Sequence, residues 1–294
     1  MKKLKIFRII IKPFIGRGIG YKSSFLRNLF YRQFSRLAVN FLSPITIPGG
    51  NKLHLPPNGI DYLIGPYEEF QTELMRKNIK PGDTFLDLGA GIGYHTTIIS
   101  KIIGDKGKVV SFEPDPNYFK LLQKNTKEND CNNIVLFQKA VLNRNGKTKL
   151  FLYDKVGRNR IEDINYLLSG LEVRDLIEVE GVKLDDFMKD EKIDFIKMDI
   201  EGSEYLALDG MKSLIKKNPE VKIIAEFPNY KPLEFLRLLK KLEFKIYEMK
   251  GDTKELSPIE NFKEFVEIRF EKIDDSKREI GDLFCEKDLI NQNN

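Results

Sequence analysis

The feature that most restricts this chain is the segment Thr84-Phe85-Leu86-Asp87-Leu88-Gly89-Ala90-Gly91-Ile92-Gly93, a short apolar run opening into three glycines within five positions. Alternating glycines allow a tight turn and bring main chain against a ligand. Such a turn belongs where a buried strand hands over to a helix. The pattern that follows agrees: Tyr94–Ile103 predicts a helix closed by Gly104, Lys108–Glu113 a strand, Asn117–Asn129 a helix and Asn133–Ala140 a strand. This βαβαβ alternation predicts an α/β protein with a doubly wound, mostly parallel sheet and helices on both faces.

Further along, Asp194–Met198 and Val221–Glu226 read as buried strands, with Tyr205–Lys217 and Pro232–Leu242 as helices. Lys147–Tyr153 and Leu176–Val182 predict edge strands or a hairpin, separated by a polar loop that carries Arg158 and Arg160. Phe244–Met249 and Phe265–Phe270 predict an antiparallel hairpin at the sheet edge. The domain division read from this pattern is a basic, partly helical extension over 1–66, a main domain over 67–275 and a C-terminal tail over 276–294.

Charge is uneven. Residues 1–60 hold 11 of the 49 basic residues and no acid, leaving 38 basic against 44 acidic residues beyond them. A basic arm before an acidic body suits an anionic partner, such as a membrane surface or nucleic acid. Within the arm, Ser23 or Ser24 can cap a helix to about Phe41, with Leu26, Leu29, Phe30, Leu37 and Phe41 at helical spacing. That stripe predicts a helix docked on the core. No run approaches the ~20 apolar residues of a membrane span. The two cysteines, Cys131 and Cys285, and two histidines, His54 and His95, show no disulfide or metal-ligand spacing, so no residue is assigned to a metal. The expected location is the cytoplasm, with peripheral membrane contact through the arm.

The glycine turn distinguishes between two nucleotide ligands. A dinucleotide fingerprint G-x-G-x-x-G begun at Gly89 requires glycine at position 94, which is Tyr94. Asp87 places an acid where a redox fingerprint has an apolar residue, and an acid there suits a cationic sulfonium ligand. Both features point to S-adenosylmethionine, with Asp87, Gly89, Gly91 and Gly93 forming its cradle. Glu113 ends the next strand, 20 residues past Gly93, where a carboxylate accepts hydrogen bonds from ribose hydroxyls. Gln138 lies near the end of the third strand and is the candidate for the adenine edge.

In these motifs the chain resembles the FkbM-type methyltransferases. The resemblance runs from Asp87-Leu88-Gly89-Ala90-Gly91-Ile92-Gly93-Tyr94-His95-Thr96 through Phe112-Glu113-Pro114-Asp115-Pro116, Lys139-Ala140-Val141 and Val182-Lys183-Leu184-Asp185-Asp186. It ends with Ile196-Lys197-Met198-Asp199-Ile200-Glu201-Gly202-Ser203-Glu204, the most specific block. Gly91 stands where the family often has Asn. The resemblance implies a Rossmann-like, class I methyltransferase sheet of seven strands and methylation of a hydroxyl, often on a sugar.

Methyl transfer to oxygen is an in-line displacement that needs a positioned acceptor and a way to remove its proton. Asp199 and Glu201, at the carboxyl end of the fourth parallel strand, are the leading catalytic candidates. His95, in the first turn of the first helix, is a candidate base by intrinsic pKa. The expected acceptor is a small molecule or glycan. The competing readings are an RNA methyltransferase using the basic arm, which the acidic body disfavours, and a non-catalytic cofactor-binding protein.

Overall fold

The structure is a computed structural model that describes residues 36–57, 59–64, 67–153, 159–161, 173–270 and 281–287. Residues 36–42 are helical, and a two-stranded ribbon, β1 (Ile45–Thr46) with β2 (Lys52–Leu53), leads to the short helix α1 (Asp61–Ile64) and to α2 (Glu69–Asn78). The expected regular alternation follows: β3 (Thr84–Leu88), α3 (Tyr94–Ile103), β4 (Lys108–Phe112), α4 (Pro116–Glu128) and β5 (Ile134–Phe137). Then come β6 (Ala140–Leu142), β7 (Gly146–Tyr153), β8 (Arg160–Ile161), β9 (Val173–Lys183) and α5 (Leu184–Phe187). The last part holds β10 (Phe195–Met198), α6 (Glu204–Asp209), α7 (Lys212–Lys217), β11 (Lys222–Glu226), α8 (Pro232–Lys241), β12 (Phe244–Lys250), β13 (Glu255–Pro258), α9 (Phe262–Phe270) and β14 (Asp282–Lys287).

The main sheet has the order β13-β12-β14-β11-β10-β3-β4-β5. Its five strands from β11 to β5 are mutually parallel, and β14 runs antiparallel between β11 and β12. This matches the seven-strand sheet that the resemblance implies, to which β13 adds an eighth strand at one edge. Order reverses beside β3, whose neighbours are β4 and β10, so the crevice at the strands' carboxyl ends opens there.

Both faces of the central strands are covered, which is why they read as unbroken apolar runs. Phe85, Val109, Phe195, Ile224 and Phe284 point into one core with α3 and the segment 38–63. Leu86, Leu88, Val110, Phe112, Met198 and Leu283 point into the other, with α6, α7 and α8. A second sheet, β6-β9-β7-β8, has its own small core of Ala140, Leu142, Leu150, Leu152, Ile161 and Val179. Its long β7–β9 pairing is antiparallel, as the sequence predicts.

Four expectations are corrected. Phe262–Phe270 is a helix, not a strand, because Phe262, Phe265 and Val266 share one face against the core and Asn261 caps it through the Glu264 N–H (3.2 Å). The partner of β12 in the edge hairpin is β13. The expected tail supplies β14 to the interior of the sheet, where both of its neighbours' edges need hydrogen bonds. In the helix at 36–42 it is Ala38 and Val39 that pack inward, whereas Leu37 and Phe41 are about 70% exposed. The rest of that expected helix, from Ser23, lies outside the described residues, as does Arg158; Arg160 is buried on β8. No helix among the described residues is long and apolar enough to cross a membrane.

Candidate active site

A cleft of about 510 Å³ lies at the carboxyl ends of β3, β4, β10 and β11, roofed by the second sheet through Ala140, Leu150 and Ile161. Its floor is the turn after β3. Gly89 has φ +79, and a Cβ there would stand 1.8 Å from the Asp199 carbonyl oxygen. The turn therefore presses directly on β10's end. Gly91 has φ +55 with open space around it, whereas a Cβ on Gly93 would meet Leu122 at 2.7 Å. Gly89 and Gly91 line the cleft; Gly93 instead lets α3 pack against α4.

Asp87 is 1% exposed, and its Oδ2 accepts a 2.5 Å hydrogen bond from Thr96. Its Oδ1 has no protein partner. Burial raises its pKa, against the nearby Lys197 ammonium. Glu113 bridges the two βα turns: one oxygen accepts from the Gly91 N–H (2.9 Å), the other from the Asp115 N–H (2.8 Å). Burial pushes its pKa up to about 8 despite both donors. Gln138 is exposed and is not part of the cleft wall, because the neighbouring Lys139, Ala140 and Val141 occupy it.

The acceptor-side wall is acidic. Lys197 lies buried under it, its ammonium 3.1 Å from Asp199 Oδ2. Burial opposes that charge, yet Asp199, Asp87 and Glu68 hold its pKa well above the ordinary lysine value. Glu201 follows in a left-handed conformation (φ 56), and Glu226 ends β11 next door. One oxygen from each of Asp199, Glu201 and Glu226 lies within 4.8 Å of the others. Burial and then the crowding of Glu201 and Asp199 raise the Glu226 pKa well above the usual range. Glu204, part of the same sequence block, is turned away: it accepts hydrogen bonds from the Ile200 (2.9 Å) and Gly202 (3.2 Å) N–H groups and so shapes the loop.

His95 lines the cleft but is 4% exposed. One ring nitrogen is 3.0 Å from Thr72 Oγ1 and the other 3.4 Å from Glu68 Oε2. Burial, with Lys197 nearby, drives its pKa well below the ordinary value, so the ring is neutral. Glu68 has a pKa of about 8, raised by burial. Beside it Tyr62, Tyr67 and Tyr94 form a ring cluster, with centroids 4.3 Å apart for Tyr62–Tyr67 and 5.0 Å for Tyr67–Tyr94. Glu68, Tyr62 and Tyr67 carried no sequence signal, because the chain before β3 reaches the cleft only through tertiary packing.

The methyltransferase FkbM domain matches residues 87–249, more than half of the chain. The chain belongs to the FkbM methyltransferase family. Among known proteins, a protein-L-isoaspartate O-methyltransferase of Methanococcus maripaludis is 37% identical over 57 residues, 19% of this chain and 27% of that protein. A probable cobalt-precorrin-6B C(15)-methyltransferase of Sulfurisphaera tokodaii is 32% identical over 65 residues, 22% of this chain and 34% of that protein. The matches thus span well under half the length of these two relatives. Among solved structures, an FkbM methyltransferase from Methylobacillus flagellatus superposes with TM-score 0.42 at 17% identity, covering 73% of this chain and 50% of that one.

The FkbM cofactor is S-adenosylmethionine, and the cleft fits it on observations internal to the structure. Asp87, with one oxygen lacking a hydrogen-bond partner, lies among the residues lining the cleft, where a cationic group would suit it. Open space around Gly91 leaves its main chain accessible, and Glu113 stands at the end of β4.

Proposed function

We propose that this FkbM-family protein methylates a hydroxyl oxygen of a sugar or related small acceptor. The observation that carries this reading is the wall made of Asp199, Glu201 and Glu226 beside the tyrosine cluster. Carboxylates accept hydrogen bonds from sugar hydroxyls, and tyrosine rings offer flat apolar faces with a polar tip. The same carboxylates repel a phosphate backbone, which speaks against RNA as acceptor.

In this reading Glu113 holds the ribose hydroxyls, Asp87 the cationic end of the cofactor, and the main chain of Gly89 and Gly91 its flank. S-adenosylmethionine, when bound, supplies an electrophilic methyl group on a positively charged sulfur. Asp199 and Glu201 orient the acceptor hydroxyl and favour departure of its proton. The acceptor oxygen, its proton passed to Asp199 or Glu201, would be the nucleophile, and the cofactor would supply the methyl group with its sulfur as the leaving group. Neutral His95 acts through Glu68, fixing its carboxyl against the cleft.

The test is transfer of labelled methyl from S-adenosylmethionine into fractionated cell extract by wild type and Asp199→Ala. Alkali-stable label in the carbohydrate fraction is expected, with the variant binding S-adenosylhomocysteine normally while turnover falls at least about 100-fold, the scale of a lost general base. Label in RNA, or alkali-labile label marking a carboxyl ester, would overturn the reading.

A further inference from the structure

We propose that Asp199, Glu201 and Glu226 form a site for one divalent cation, Mg²⁺ or Mn²⁺, at the acceptor end of the cleft. The three carboxylates come from the ends of two adjacent parallel strands, β10 and β11, paired through Met198 and Ala225. Glu226 lies 25 residues beyond Glu201 with a helical stretch between, and the pairing of β10 with β11 brings it back beside Asp199 and Glu201.

The spacing suits a single ion. Oxygens on opposite sides of Mg²⁺ stand about 4.2 Å apart, and across Ca²⁺ about 4.6–5.2 Å. The three oxygens lie within 4.8 Å of one another, an upper bound that the ligands of one such ion satisfy. An all-oxygen set also selects hard cations over the thiolate- and imidazole-loving ones. Lys197 neutralises only part of the charge: it is engaged with Asp199 Oδ2, and Glu226 forms no ion pair among the described residues.

A second observation is independent of the carboxylates. Ser203, on the loop just past Glu201, is 1% exposed and lines the same cleft, and its hydroxyl has no hydrogen-bond partner. Leaving a buried hydroxyl unsatisfied is unfavourable, so this wall is built to meet a polar guest such as a hydrated ion. A cation here makes an adjacent hydroxyl more acidic, which eases the loss of its proton to a nearby base. That role rests on the hydroxyl-acceptor reading above; the existence of the site does not.

The test uses the full chain, stripped with chelator and titrated with Mn²⁺ alone, followed by electron paramagnetic resonance and calorimetry. One Mn²⁺ per chain is expected. Glu226→Gln and Glu201→Gln should each weaken binding at least tenfold while keeping S-adenosylhomocysteine binding and thermal midpoint, and Asp190→Asn, a surface control paired with Lys217, should change nothing. Two variants are used so that a folding defect in one leaves the other decisive. If wild type binds S-adenosylhomocysteine but no Mn²⁺, or if Mn²⁺ binding survives both substitutions, the site does not exist. Neither result bears on whether the acceptor is a hydroxyl, which the label-transfer experiment reads separately.

Discussion

Gly89 and Gly91 sit two residues apart in one turn, yet a methyl group added to each should have very different consequences. Both have positive φ, so alanine at either incurs left-handed strain of about 1–2 kcal/mol. At Gly91 that is the whole effect, because nothing lies within 4 Å of the added carbon. At Gly89 the new Cβ lands 1.8 Å from the Asp199 carbonyl oxygen. That neighbour is backbone of a central strand and cannot rotate aside, so overpacking adds about 1–3 kcal/mol. Gly89→Ala should therefore cost about 2–5 kcal/mol in total. At about 3 °C per kcal/mol for a domain of this size, its thermal midpoint falls by about 6–15 °C, against about 3–6 °C for Gly91→Ala. Gly91→Asn should fall less, because asparagine tolerates the left-handed region. Differential scanning calorimetry of the three variants, with and without S-adenosylhomocysteine, makes the comparison. Equal losses at the two glycines would refute the claim that the turn presses on β10.

Two further outcomes follow from the same geometry. Glu113 has a pKa near 8 in the unliganded cleft and must be charged to accept both ribose hydroxyls, so S-adenosylhomocysteine binding should weaken about tenfold for each pH unit below 8; Glu113→Gln should bind more weakly at pH 9 and lose this dependence, as calorimetry between pH 6 and 9 would show. Asn125 ties the segment before the main domain to the glycine turn, accepting from the His54 N–H (2.7 Å) and donating to the His54 (3.1 Å) and Ile92 (2.7 Å) carbonyls. Asn125→Ala leaves these buried groups unpaired and should lower urea-unfolding stability by about 3 kcal/mol, with an unchanged midpoint as the contrary result.

The central strands and the cofactor turn were legible because their signals are local: a run buried on both faces, followed by glycines at fixed spacing. Phe265–Phe270 misled for a related reason. Phe-Val-Glu-Ile-Arg-Phe fits both periods, and only the upstream Asn261, Phe262 and Glu264 mark a helix start. β14 was hidden because Leu283, Phe284 and Cys285 form a three-residue run that faces both cores and so shows no alternation. Gln138 failed as a cleft residue because the side chain at a strand end can turn either way, and here Lys139 takes the inward place. Glu226 ends a strand legible in the sequence, Val221–Glu226, and the pairing of β11 with β10 places it beside Asp199 and Glu201.

The late position of β14 also has a consequence for how the polypeptide is made. The strand that fills the gap between β11 and β12 is translated after both of them, and it brings Asp282 into the cleft wall. Until residues 282–287 clear the ribosome, the nascent chain carries two unsatisfied strand edges facing one another, a state open to mispairing with other chains. Newly synthesised protein therefore stays vulnerable to aggregation until β14 is in place, and ligand affinity should appear only after that closure.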